Sequence, residues 1–224
     1  VKKPAGTILR YTTDGTTPTL TNGVTSTSGL FTVNKTTTYR FRLFKEGKLP
    51  SSVVTRSFLY EDRDYMLPVI SVVTDPINLY DDSLGVYVRG VNGRTGNGER
   101  TPCNWNMDWD RPVNFEYITP DGGMVVNQEV DFAMCGGWSR AWAPHSFKLK
   151  AGKIYEGNNS IDYPFFADKP YLKHNNIALF FAKYINPIAV TISNSVKSYL
   201  SKNFLYLLTY DSKIFKGISS SFIF

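Results

Sequence analysis

The residues best suited to chemistry fall in one stretch, MCGGWSRAWAPHSFKLKA, residues 134–151. Gly136 and Gly137 precede Trp138-Ser139-Arg140, and His145 opens the run Ser146-Phe147-Lys148-Leu149-Lys150. A glycine turn beside cations can receive a phosphate, since glycine tolerates positive φ, ammonium is a compact charge and guanidinium is multidentate. Ser139 would be a nucleophile only with a paired base and an oxyanion hole. His145 is the one nearby base, and no G-x-S-x-G pattern surrounds the serine. The structural alternative is a sharp chain reversal, with Lys148 and Lys150 as solvated charges on a sheet face. Spacing leaves the phosphate and structural readings both open.

Neither a GxGxxG nor a GxxxxGK[ST] phosphate loop occurs in the chain. Asn104, Asn106, Asp108 and Asp110 alternate like calcium ligands. A calcium loop starting at Asn106 needs Gly sixth and Glu twelfth, but Arg111 and Tyr117 stand there. An extended segment with Trp105 and Trp109 on its apolar side accounts for the spacing better. Cys103 and Cys135, with His145 and His174, are too few for a Cys-rich zinc site or a multi-His centre. No metal ligand set is therefore expected. Whether the two cysteines bridge or stay as buried thiols is open.

The net charge of +6 does not point to nucleic acid. Residues 1–172 hold 19 Lys or Arg against 18 Asp or Glu, and the last 52 residues hold six Lys against Asp211 alone. Nucleic-acid readers cluster Arg and Lys on a defined face, whereas this excess sits in an Arg-free tail. There is no charged-then-apolar leader and no apolar run of membrane-spanning length. The chain reads as a mature or trimmed segment without a transmembrane span.

The elements that would position these residues are mostly strands. Thr7–Thr12, Thr37–Phe44 and Val53–Leu59 have strand character, with turns at Asp14-Gly15 and Glu46-Gly47-Lys48. Pro68–Thr74 predicts a buried strand. Residues 90–100, with four glycines, predict a mobile loop. Val113, Phe115 and Tyr117 alternate with Asn114 and Glu116, and Val130, Phe132 and Met134 alternate with Glu129, Asp131 and Ala133, as amphipathic strands do. On the strand 145–150, Phe147 and Leu149 face the core, and Ser146, Lys148 and Lys150 face the other side.

Two resemblances emerge from these phrases. ILRYTTDGTTPTLTNG, then TTTYRFRLFKEGKLPSSVVTRSF, resembles the β-sandwich module at the C-terminal ends of chitobiases and related hexosaminidases. That implies a partial immunoglobulin-like β-sandwich over 1–60, lacking its opening strand and carrying no catalytic residues. The acidic stretch Glu61-Asp62-Arg63-Asp64 reads as a solvated linker. LPVISVVTDPINLYDDSLGVYVRG, WDRPVNFEYITPDGG, QEVDFAMCGGWSRAWAPHSFKLKA and DYPFFADKPYLKH resemble, in order, the CotH family of atypical, kinase-like proteins.

The CotH resemblance implies an α+β, distorted kinase-like domain whose N-terminal part covers 65–174. It also implies ATP and Mg2+ as cofactors, with phosphate transfer to serine of a surface or secreted protein. Gly136, Gly137, Ser139, Arg140, His145 and Lys148 become the nucleotide-binding candidates. Where relatives carry Lys in a Pro-x-Lys-Ser phrase, this chain has Pro144-His145-Ser146. The combination of modules implies an extracellular or cell-surface protein.

After His174 the resemblance stops. Phosphoryl transfer needs carboxylates to hold magnesium and orient the hydroxyl, and residues 175–224 offer only Asp211. The domain therefore looks truncated, its catalytic residues are unknown, and kinase activity is not expected. The tail is either a divergent helical ending, with Val196, Leu200, Phe204, Leu207 and Leu208 on one face, or a frameshifted replacement of the family's second half. The second account is the working hypothesis; resequencing the locus to an intact frame, with no alternative frame downstream, would sink it. The rival function is a non-catalytic surface module contacting glycans or proteins, with Trp138 and Trp142 as stacking candidates if they are not packed in a core. No pair of positioned carboxylates supports a glycosidase.

Overall fold

A computed structural model of the protein describes residues 1–60, 67–142, 145–152, 154–155, 159–166, 169–179 and 221–223. The linker expectation at 61–64 and the helical tail face at 196–208 lie outside these residues. The described residues divide into two compact units: 1–76, 114–127 and 221–223 in the first, 77–113 and 128–179 in the second.

The first unit opens with β1 (Ile8–Thr12), β2 (Val24–Ser26), β3 (Thr37–Phe44) and β4 (Val54–Phe58), an antiparallel sheet in the order β2-β1-β3-β4. Register explains the packing. Leu9 lies opposite Leu43, and Tyr11 opposite Phe41, so the larger apolar side chains of β1 and β3 share one face. Leu9, Tyr39 and Phe41 form the cluster, with Tyr11, Phe31, Val33 and Leu43 against it. Tyr39 stacks on Phe41 with centroids 5.5 Å apart, and Phe31 meets Phe41 edge-on at 5.0 Å. The expected turn at Asp14 is present: Gly15 takes φ 83°, and the Arg40 guanidinium donates to its carbonyl at 2.7 Å.

β5 (Val69–Val73) is buried throughout and pairs antiparallel with β8 (Asp110–Ile118), Val72 lying opposite Phe115. β8 neighbours β9 (Met124–Met134), and a short β14 (Ser221–Ile223) pairs with β5. β8 departs from its expected amphipathic pattern. Val113, Phe115 and Tyr117 are buried, but so are Asn114 and Glu116. Glu116 is received by partners distant in sequence. The Ser57 amide donates to both its oxygens at 3.2 and 3.1 Å, and Asn127 Nδ2 donates at 2.8 Å. Asn127 Nδ2 also reaches the Thr55 carbonyl at 3.0 Å. These two side chains satisfy backbone groups of β4, as a neighbouring strand would. Hydroxyls of Thr38, Ser57 and Ser71 extend the network at 2.8 and 2.7 Å.

In the second unit, β9 continues into a ladder with β10 (Phe147–Lys150), which pairs on its other side with β13 (Asn176–Leu179). Val130, Phe132, Phe147 and Leu149 are essentially inaccessible, and Phe132 stacks on Phe147 at 4.6 Å. Burying each such side chain is worth about 1.5–3 kcal/mol. A two-residue pair joins β11 (Ile161–Asp162) to β12 (Lys173–His174).

Residues 90–100, expected as a mobile loop, instead include most of a hairpin of β6 (Arg94–Gly96) and β7 (Glu99–Cys103). Asn97 and Gly98 turn it with φ of 51° and 83°, which is the Asn-Gly hairpin signal. Among the described residues the helical content is one four-residue helix, α1 (Ile77–Tyr80), and 3-10 turns at Asn104–Asn106 and Trp138–Arg140. The helical layer expected of an α+β domain is not among them. The described architecture is antiparallel β.

Candidate functional site

The end of β9 and the start of β10 hold the Gly-Gly segment. The Cys135 amide donates to the Ser146 carbonyl at 3.0 Å, and the Ser146 amide to the Ser139 carbonyl at 3.4 Å, closing the loop between the strands. Gly136 turns it with φ 86°. The segment is thus a chain reversal in structure, as one of the two open readings held.

The six candidate residues divide into distinct environments. Arg140 is committed to structure. Its guanidinium donates to the carbonyls of Gly136 (3.2 Å) and Asn106 (3.4 Å) and pairs with Asp108 at 3.5 Å. Asp108 also binds Arg94 at 2.8 Å, and the Arg94 and Arg140 contacts hold its carboxyl below the ordinary range against a small desolvation effect. Arg94 Nε bonds the Asn106 carbonyl at 2.7 Å, and buried Asn106 donates to the carbonyls of Arg94 and Gly96. Arg140 therefore ties the Gly-Gly segment to the β6–β7 hairpin.

His145 is no surface cation. It is buried between the rings of Tyr87 (4.6 Å) and Trp105 (4.7 Å), and its amide donates to the Tyr87 hydroxyl at 2.9 Å. Burial pushes its pKa down, opposed by the backbone of Arg140, then by the Glu99 charge and the backbone of Trp142. The ring is neutral near pH 7 and braces the turn. Ser139 is half-buried and Gly137 exposed.

Lys148 differs from both. On β10 it lies opposite Ala133 on one side and Ala178 on the other, so small side chains flank its stem. Among the described residues it has no carboxylate partner. Lys150, two positions on and on the same face, pairs with Asp110 at 2.5 Å. Cys135 is buried, and burial raises its thiol pKa to about 11, with Lys148 first and then Arg140 opposing the rise. Both cations thus lie near that thiol, and Lys148 alone is not committed to an acid.

Cys103 and Cys135 are both free and buried. No three His, Cys, Asp or Glu side chains converge among the described residues. Trp138 and Trp142 are 66% and 42% exposed, against 7% for Trp105. Core packing is therefore not the fate of the first two. Sequence spacing carried no sign of this, because it does not say which side of a turn meets solvent.

A second surface lies on the first unit's sheet, where Leu9, Phe31, Phe41, Leu43, Val54 and Phe58 line an open groove of about 560 Å³.

Against known proteins, the antiparallel β architecture of the N-terminal sheet finds its counterpart by sequence. Residues 2–55 match the chitobiase/β-hexosaminidase C-terminal domain family. No curated protein and no solved structure matches the chain. The CotH resemblance of residues 67–174 gains no match from these comparisons.

Proposed function

We propose that this is an extracellular, CotH-like surface protein that binds a polyphosphate group, such as that of ATP, through Lys148 without transferring phosphate. The observation that carries the reading is the contrast on β10. Lys150 is neutralised by Asp110, whereas Lys148 stands between two alanines without an acid among the described residues. A half-buried lysine with small neighbours can offer a point charge to a phosphate oxygen. The exposed backbone of Gly137 lies in the same strand-to-strand connection. Arg140 and His145 support the turn and are not phosphate contacts in this proposal.

A nucleotide phosphate fits the residues present to the extent of one uncommitted cation beside a glycine turn. Magnesium does not fit, since Asp108, Asp110 and Glu99 are paired with arginine or lysine and Asp131 accepts from the Tyr155 hydroxyl. Expected inactivity rests on the tail, whose only acid is Asp211.

Isothermal titration of ATP into the folded 224-residue chain, with and without magnesium, tests this. The expected result is weak binding that does not require magnesium, with no label transferred to protein from radiolabelled ATP. Measurable transfer, abolished by Asp211→Asn, would overturn the non-catalytic part. Absence of binding would overturn the phosphate part.

The rival of a surface module without nucleotide contact keeps one specific observation, the exposure of Trp138 and Trp142.

A further inference from the structure

We infer that Trp138 is a stacking platform for a pyranose ring, and that the turn around it binds a neutral oligosaccharide. The inference does not rest on phosphate binding at Lys148. Trp138 is 66% exposed, yet its ring is not loose. A Cβ built on Gly98 would fall 2.8 Å from two indole carbons, so the ring lies directly over the Gly98 backbone. One part of the indole is seated on the hairpin while most of the side chain faces solvent. A ring held in advance loses little freedom on binding, which favours affinity. The conformation of Gly98 (φ 83°) and its missing side chain are both needed for this seat.

The polar groups tied to the same turn and hairpin suit a polyol. Asn97 uses its Nδ2 on Asn106 at 2.9 Å. A Cβ on Gly137, next to Trp138 in the chain, would lie 4.0 Å from the Asn97 Oδ1, which places that acceptor beside the turn. Asp108, whose side chain is 72% exposed, keeps lone pairs beyond its contacts with Arg94 and Arg140. Arg94, 56% exposed, presents N–H donors alongside. A pyranose offers an apolar C–H face to an aromatic ring. Its rim of hydroxyls can donate to carboxamide and carboxylate oxygens and accept from guanidinium. Asp108 is the most exposed charge of the Arg94–Asp108–Arg140 cluster, so a neutral ligand suits that cluster better than an anion. The sequence shows the aromatic and amide residues, but only the folded hairpin brings Asn97 and Gly98 to Trp138.

Acrylamide quenching of tryptophan fluorescence reads this site, because Trp138 is the most exposed of the four tryptophans. Cellotetraose, chitotetraose and maltotetraose are the probes, titrated to about 10 mM, just beyond the weak end of measurable affinity. At least one should shield the fluorescence of the unaltered protein. Trp138→Ala and Asn97→Ala, each shown folded by near-ultraviolet dichroism, should weaken calorimetric binding of that sugar by about tenfold or more. Gly98→Ala should weaken it as well by displacing the ring, giving a second test that leaves the indole in place. Absence of shielding by all three sugars, or unchanged binding by Trp138→Ala, overturns the inference. Shielding by adenosine as complete as that by the best sugar also overturns it, since the surface would then be a general base-stacking face.

Discussion

In the first unit, Glu116 is fully buried, and its oxygens accept from the Ser57 amide and the Asn127 carboxamide. In the second, Asp108 is 72% exposed and shared between Arg94 and Arg140. Both carboxylates join segments distant in sequence. Glu116 does so in a sealed network whose partners are β4 and the β8–β9 hairpin. Asp108 does so at the surface, paired with Arg140 of the turn that carries the exposed Trp138. The difference lies in how far each is committed: a satisfied buried carboxylate holds strands together, and a partly committed exposed one keeps spare hydrogen-bonding capacity.

That contrast can be broken most easily from the buried side. Glu116→Ala strips the Ser57 amide and Asn127 of an acceptor, and leaving such buried groups unmatched should cost about 3 kcal/mol in urea unfolding. A loss no larger than that of an exposed site would contradict the sealed-network account. Gly98→Ala comes next, because it forces a side chain into left-handed backbone against the Trp138 ring. A loss of about 1–2 kcal/mol is expected in the same assay. Asp108→Ala should cost the least, at most about 1 kcal/mol, as exposed ion pairs do.

The pH dependence sharpens the comparison further, because two buried groups act in opposite directions. Burial raises the Glu116 pKa above its ordinary 4.5, although hydrogen bonds from Ser57 oppose the rise. Its contribution is full below that ordinary value and is lost as pH rises through the folded value. Burial lowers the His145 pKa below 6.5. Its contribution is full above 6.5 and is lost as pH falls through the folded value. Urea titrations across pH should therefore show Glu116→Gln flattening its window above 4.5 and His145→Gln flattening the acid side below 6.5. If both variants kept the parent profile, neither group would carry the linkage.

Much of the framework was legible in the sequence. Ile8–Thr12, Thr37–Phe44 and Val54–Phe58 are strands within a residue or so of expectation, and Gly15 turns where Asp14-Gly15 suggested. On β10, Phe147 and Leu149 are buried while Lys148 and Lys150 occupy the alternate positions, as period-two patterning requires. Glu116 was not legible. Alternation assigns polar residues to solvent, and its burial depends on Ser57, 59 residues away. Arg140 read as an anion contact because spacing conceals Asp108, 32 residues back. His145 read as a weak cation because nothing local reveals that Tyr87 and Trp105 close over it. The glycines of 90–100 concealed the Asn97-Gly98 hairpin turn within apparent flexibility.

Lys148 carries the proposed function, and its neighbour Lys150 supplies the internal control. Calorimetric titration of ATP and of tripolyphosphate into the unaltered protein, Lys148→Ala and Lys150→Ala is the most direct measurement. The account predicts binding of both ligands by the unaltered protein and by Lys150→Ala, and a loss of about tenfold or more in Lys148→Ala. Equal losses in the two lysine variants, or no binding by the unaltered folded chain, would contradict it.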